Sequence, residues 1–438
     1  MHKPLRNTLV DGLAIDNFKC EHAWLSRESA FSGALDDILT YAKPYCCHST
    51  RSPGYWTEEF TMNWNELRKA EFPVSQQWAY FDHAAVAPLP RRSAERLRTW
   101  IDDQEANGVV NWPQWEARVE QTRLDVARLI HASPVEIAFV SSTTQGIGLI
   151  AEGFPWVPGD NVVTASDEYP SNVYPWMNLR DRGVELRMVP SRAGRILPED
   201  LVAAIDGRTR VLAISLVEFA TGFRNDLDQL AELCHERGVA LFVDAIQGLG
   251  PLVVNVRKTP IDFLCASGQK WLLGPEGAGL LYVRQDWIER LRPLGVGSHS
   301  VTSSYNSPLL DFALKPNAQR WEGGCFAMPA LQAFGASLSL LLEIGPEAVS
   351  KRILEQAESV RELARKLGWT VAGSQRPEEQ GGIVAIEKAG ILPDDVARRG
   401  REVQVVLSSR RGRVRISPHV YNDTQDFDRL GELLGSAP

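Results

Sequence analysis

Lysine is scarce in the middle of this chain. Between Lys69 and Lys315 only Lys258 and Lys270 occur, while arginines are frequent. Lysine can condense with an aldehyde, whereas a guanidinium stays protonated and is a poor nucleophile. Lys270 follows an apolar run and closes Ser267-Gly268-Gln269-Lys270, just ahead of Trp271 and Gly274, a setting that does not suit a surface lysine. Asp244, 26 residues earlier, ends the apolar run Leu241-Phe242-Val243. A carboxylate there can keep a pyridine nitrogen protonated, and a pyridinium draws off carbanion charge far better than a neutral ring. Aspartate also ends strands as a plain turn or cap residue. Its spacing to Lys270, with Gln247 three residues further on, favours a cofactor. The pair fits pyridoxal 5'-phosphate (PLP), with Lys270 as the Schiff-base lysine and acid/base catalyst and Gln247 on the ring hydroxyl.

Other residues complete such a site. Ser142, Thr143 and Thr144 join a predicted strand to a predicted helix, where hydroxyls and free N–H groups can cradle a phosphate. Serine and threonine are common N-caps anyway, so Ser267 beside Lys270 matters as a second hydroxyl. Tyr169, in a loop after another strand, could lie on the pyridine ring, although composition suits a buried loop tyrosine as well. Arg415 lies on a predicted strand and could clamp a substrate carboxylate in bidentate fashion. Arg413 alternates with it on the same face, so periodicity does not choose between them.

The elements that must position these groups alternate in type. Apolar runs at 137–141, 161–165, 184–189, 210–216, 239–244, 261–266 and 278–283 read as strands buried on both faces of a largely parallel sheet. Helical patterns at 146–154, 171–181, 197–205 and 226–237 separate them. In such α/β sheets ligands sit beyond the carboxyl ends of the strands, where Ser142 to Thr144, Asp244 and Lys270 all fall. Strand 78–82 and helices 91–104 and 113–131 precede this region. Helices 329–342, 346–367 and 426–434, with strands 384–386, 403–407 and 414–417, follow as a smaller α+β domain.

At 438 residues, two domains are expected. The division reads as an extension at 1–61 that could be disordered, a segment at 62–90 packing with the small domain, a PLP-binding domain at 91–319 and a small domain at 320–438. The extension carries one possible helix at 30–42, and Met62 would suit a natural start. A net charge of −8 and a pI near 5.6 argue against nucleic-acid backbone binding. No apolar run is long enough to span a membrane, and the first residues do not resemble a secretory signal. The six cysteines form neither a CxxC motif nor a disulfide framework, so a cytoplasmic location is expected and no metal site is.

These motifs resemble the class V aminotransferase family of fold-type I PLP enzymes, in the branch of cysteine desulfurases, selenocysteine lyases and isopenicillin N epimerases. The resemblance runs from Tyr80 to the C-terminus. It is carried by Tyr80-Phe81-Asp82-His83-Ala84-Ala85, Ser142-Thr143-Thr144, Glu168-Tyr169-Pro170-Ser171-Asn172, Asp244 with Gln247, Ser267 to Lys270 and Arg415-Ile416-Ser417 with Tyr421-Asn422. It implies Thr144, Ser267 and Gln269 around the phosphate, His83 and Arg415 on the substrate side, and a homodimer whose active sites are completed across the interface. Cys325 stands where the family has a threonine reaching the neighbour's phosphate. Tyr169 replaces the histidine that desulfurases stack on the ring. Their persulfide cysteine is missing too, since no cysteine follows Cys325 and the matching loop, 405–412, holds Ser408-Ser409-Arg410-Arg411. The resemblance therefore implies aminotransferase, lyase or epimerase chemistry on a small amino acid. A desulfurase or selenocysteine lyase with an unusual sulfur acceptor is one alternative, and a PLP-binding regulator without catalysis is another.

Overall fold

The computed structural model describes residues 62–303, 310–325 and 327–436. The readings made for 1–61 lie outside the described residues. In chain order the strands are β1 Ala79–Tyr80, β2 Ile137–Val140, β3 Asn161–Ala165, β4 Glu185–Val189, β5 Thr209–Ser215, β6 Ala240–Asp244, β7 Phe263–Ser267 and β8 Gly279–Val283. Five short strands follow: β9 Thr370–Val371, β10 Val384–Glu387, β11 Val405–Val406, β12 Ser408–Arg410 and β13 Arg413–Ile416.

The apolar runs of the middle region make one seven-stranded sheet in the order β2-β8-β7-β6-β5-β3-β4. Only β8 runs against its neighbours; the other pairings are parallel. Helices cover both faces, which is why the strands read as continuous apolar segments. Along β6, Leu241 and Val243 enter one hydrophobic cluster while Ala240 and Phe242 enter the cluster on the opposite face. Each such buried leucine, valine or phenylalanine contributes about 1.5–3 kcal/mol. Edge strand β4 departs from this pattern, with only Val189 buried.

Two predicted elements differ in the structure. The helix expected over 171–181 is three short pieces, a 3-10 turn Pro170–Asn172, one helical turn Tyr174–Met177 and a second 3-10 stretch Asn178–Arg182. Pro170 and Pro175 supply no N–H, and Val173 leaves the helical region at φ −123°. The strand expected over 403–407 starts late, because Gln404 adopts φ 60°. The chain then pairs β11 with β1 and, two residues later, β12 with β13.

The second sheet, in the order β12-β13-β10-β9, is antiparallel and backs onto its own hydrophobic cluster. Arg68 bonds the Asp426 carboxylate at 2.6 Å on the last helix, Thr424–Gly435, and Asp82 bridges Ser417 just after β13, so the first described segment is tied to the C-terminal elements. Helix Met328–Ile344 instead packs on helices Arg91–Asn107 and Trp112–Ile130. Among the described residues no single helix is long and apolar enough to cross a membrane.

Candidate active site

Strands β5, β6 and β7 end at Ser215, Asp244 and Ser267, and a cavity of about 330 Å³ opens beyond them. A larger cleft, of about 720 Å³, lies between the Pro198–Ala204 and Leu227–Arg237 helices. It contains no lysine, histidine or cysteine, and its Arg195 is paired with Glu379 at 2.6 Å. The smaller cavity instead brings Lys270, Asp244, Gln247 and Arg415 together.

Asp244 is buried, and its Oδ1 accepts the Ile246 N–H at 3.0 Å. Burial pushes its carboxyl up to about 6, opposed by that N–H and by the charge of Lys270. The Lys270 amine is pushed down to about 8, again chiefly by burial, with Asp244 pulling the other way and Arg415 and Arg410 adding repulsion. Its Nζ lies 5.7 Å from the centre of the Tyr169 ring. That ring is nearly half exposed and meets Phe219 edge-on at 5.1 Å. Gln247 donates from Nε2 to Ala84 O at 3.0 Å and accepts from Trp271 Nε1 at 2.9 Å, which leaves one amide N–H for a ligand.

At the other end of the cavity, Ser142 caps helix Thr143–Gly153 by accepting the Gln145 N–H at 3.1 Å. Thr143 is turned inward. Its N–H and hydroxyl lie 2.6 and 3.0 Å from Ser267 Oγ, and its Oγ1 accepts the Ser267 N–H at 3.0 Å. These bonds latch the helix start to the end of β7. A side chain on Gly146 would lie 2.2 Å from Cys265 Sγ, so only glycine permits this approach. Thr144 is exposed and bonds Ser171 Oγ at 2.7 Å. Gln269 has a buried, unpartnered Oε1, and a half-turn of its amide would offer N–H groups to an anion.

Arg415 is buried on β13 and lines the cavity, with Nη1 on Phe219 O at 3.2 Å, Nη2 on Asp82 Oδ1 at 3.3 Å and Nε unpartnered. Burial draws its guanidinium down to about 10. Arg413 instead reaches outward to Glu387 at 2.7 Å, a choice periodicity left open. His83 does not line the cavity. Its Nδ1 lies 2.8 Å from Ser417 O and its Nε2 2.8 Å from Tyr421 Oη, both in the core. The Asp82–Ser417 bridge brings Asp82 to Arg415, and at His83 the chain enters a turn, closed by Ala85 N on Asp82 O at 3.0 Å, in which the imidazole is held in the core by Ser417 and Tyr421. Ala84 to Val86 form the wall instead. Cys325 is exposed and lies outside this cavity.

Sequence reasoning missed several groups. Glu168 accepts from Ser215 N and Oγ, each at 2.5 Å, and burial with the neighbouring Asp244 charge lifts it to about 7. Glu218 is buried with Oε2 unpartnered, and burial followed by repulsion from Glu168 pushes its carboxyl well up. Both stand just beyond strand ends, the rule that found Asp244. Arg410 lines the cavity as well.

A family model described as aminotransferase class-V matches residues 79–430, and the chain belongs to that family, whose enzymes use PLP. A probable cysteine desulfurase of Methanothermobacter thermautotrophicus is 29% identical over 398 residues, covering 85% of this chain and 98% of its own. A cysteine desulfurase of Dickeya dadantii is 31% identical over 297 residues, covering 64% and 71%. Among solved structures, the apo cysteine desulfurase from Thermococcus onnurineus NA1 has a TM-score of 0.76 at 24% identity, covering 84% of this chain and 96% of its own. The cystine C-S lyase C-DES, solved with its product cysteine persulfide, has a TM-score of 0.78 at 21% identity, covering 84% and 99%. The fold is that of the fold-type I PLP enzymes.

The cavity fits the cofactor. It offers a depressed amine for the aldehyde, a buried carboxylate for the ring nitrogen, and hydroxyls with a helix start for the phosphate. The Gln269 Oε1 adds a buried polar atom with no partner among the described residues.

Proposed function

We propose that this chain is a PLP-dependent enzyme that works at the α-carbon of a small amino acid, by aminotransferase, lyase or epimerase chemistry. The observation that carries the reading is one cavity lined by Lys270, Asp244 and Arg415. Ser142, Thr143, Thr144, Ser267 and Gln269 would hold the phosphate, Gln247 the ring hydroxyl and Tyr169 the ring face. PLP bound there would supply an electron sink for charge released at the α-carbon.

The chain's own groups do the rest. Drawn down to about 8 by burial, the Lys270 amine gives up its proton near neutral pH far more readily than an ordinary lysine. It can therefore take a proton from the α-carbon and return it. Asp244 holds a proton at the ring nitrogen, and Arg415 fixes the substrate carboxylate. In this reading 91–319 supplies the cofactor end of the cavity, and 62–90 with 320–438 supplies the carboxylate end. On the same reading the enzyme acts in the cytoplasm, the location expected from its first residues and its cysteines, and it works as a homodimer, as the family resemblance implies.

Titrating the PLP-loaded protein with a panel of amino acids tests the reading, with cofactor absorbance and products both followed. A substrate-dependent spectral change with an oxo acid, an enantiomer or ammonia as product is expected. Unchanged PLP content and spectrum in Lys270→Ala would overturn it.

The names of the relatives support a second reading, cysteine desulfuration. Against it, no cysteine follows Cys325, and the loop before Arg415 carries serines and arginines. Sulfide release from cysteine, assayed with and without added thiol, separates the two.

A further inference from the structure

Arg410 to Arg415 contain four arginines, and three have acidic partners. Arg411 meets Asp167 at 3.1 Å, Arg413 meets Glu387 at 2.7 Å and Arg415 meets Asp82 at 3.3 Å. Arg410 has none among the described residues. Its one hydrogen bond runs from Nη1 to the carbonyl of its own neighbour Ser409, at 2.7 Å. It is also the only one of the four, apart from Arg415, that lines the cavity of Lys270.

The strand geometry allows that placement without selecting it, because Arg413, opposite Arg410, lies on the same face and is drawn to Glu387 instead. In the β12–β13 pair, Ser408 stands opposite Arg415 and Arg410 opposite Arg413. Residues two apart on a strand share a face, so Arg410 projects on the side of Ser408, whose hydroxyl bonds Asp82 at 2.8 Å. The groups whose ionisation the Arg410 charge alters are Asp82, Lys270 and Arg415, the lysine end of the cavity rather than the Ser142–Thr144 end. Three cations thus face one space in which Asp82 is already engaged and Asp244 lies at the end of β6. Loss of the Lys270 proton relieves part of that repulsion, an anion can relieve what remains between the two arginines, and a guanidinium recognises an oxyanion through two parallel N–H bonds.

We infer that Arg410 is a specificity-determining residue, binding an oxyanion on the substrate side chain while Arg415 takes the α-carboxylate. The substrate is then an amino acid with an acidic side chain, a carboxylate or a sulfinate. This rests on the proposed PLP reading and narrows it to a substrate class.

The test compares the PLP-loaded enzyme with its Arg410→Gln and Arg410→Lys variants on L-aspartate, L-glutamate, L-cysteine sulfinate, L-alanine and L-serine. The expected result is a preference for acidic substrates in kcat/KM. That ratio should fall by about 10- to 100-fold in Arg410→Gln, as loss of a charged hydrogen bond predicts, and be partly kept in Arg410→Lys. The carboxylate and sulfinate arms show which oxyanion fits better. Calorimetry supplies a readout without turnover: succinate should bind more tightly than propionate, and Arg410→Gln should remove the difference.

Turnover with no acidic preference, or a preference unaltered in Arg410→Gln, overturns the Arg410 assignment and leaves the PLP reading standing. Arg410-dependent succinate binding without a spectral response to any amino acid sinks the PLP reading and keeps the anion site. Failure of both measurements removes both.

Discussion

Arg415 and Asp82 face each other at 3.3 Å as a largely buried pair, and burial displaces both from their ordinary ionisation. The guanidinium is drawn down to about 10 and the carboxyl is raised, burial outweighing their mutual attraction in each case. The pair therefore adds little net stability, and the Arg415 Nε still lacks a partner among the described residues. Such an arginine is held ready for another anion. Asp82→Asn should lower the unfolding free energy by about 3 kcal/mol, because it strands a buried cation. Adding Arg415→Met should restore most of that loss while abolishing carboxylate binding. Urea unfolding of the single and double variants checks both.

Lys270 should be indispensable to turnover. Lys270→Ala is expected to reduce kcat by at least about 100-fold, the usual worth of a positioned acid/base group. Lys270→Arg should not rescue it, since a guanidinium stays protonated. Steady-state kinetics with the amino acid identified by the spectral screen measure this.

The same lysine shapes the pH dependence of stability in the cofactor-free protein. Its folded value, about 8, lies below the ordinary 10.5. The unfolded chain therefore binds more protons in that window, and stability rises with pH from about 8 to 10.5. Asp244 has the opposite sign. Its folded value of about 6 exceeds the ordinary 3.8, so its contribution is present at low pH and is lost as pH rises through about 6. Lys270→Met should flatten the alkaline slope and Asp244→Asn the acidic one in denaturation series across pH.

Gly146 sets the distance between the proposed phosphate cradle and β7. Gly146→Ala should cost about 1–3 kcal/mol, because its methyl group would occupy the place of Cys265 Sγ. PLP affinity should fall with it as the Thr143–Ser267 latch opens. Cys265→Ala in the same chain should recover part of both, a coupling that thermal unfolding and PLP titration would reveal.

Much of the fold was legible because both-face burial leaves a local signature. Strands β2, β3, β6, β7 and β8 are buried along their whole length, and their residues read as apolar runs of matching position. The segment after Pro170 was not legible as broken turns, since helical periodicity carried across Pro175 hides the loss of an N–H. The late start of β11 depended on one left-handed residue, Gln404, which is neither glycine nor asparagine.

By itself, the sequence determined the sheet, the strand ends and the pairing of Asp244 with Lys270 in one site. Those follow from apolar runs and from lysine scarcity, properties read within a few residues. Only the tertiary structure decided that Arg415 and not Arg413 enters the cavity, that His83 turns into the core, and that Arg410, unlike its neighbouring arginines, has no acidic partner among the described residues. Each depends on contacts across long stretches of chain, such as the 333 residues separating Asp82 from Arg415, and burial and ion pairing over such separations leave no local pattern.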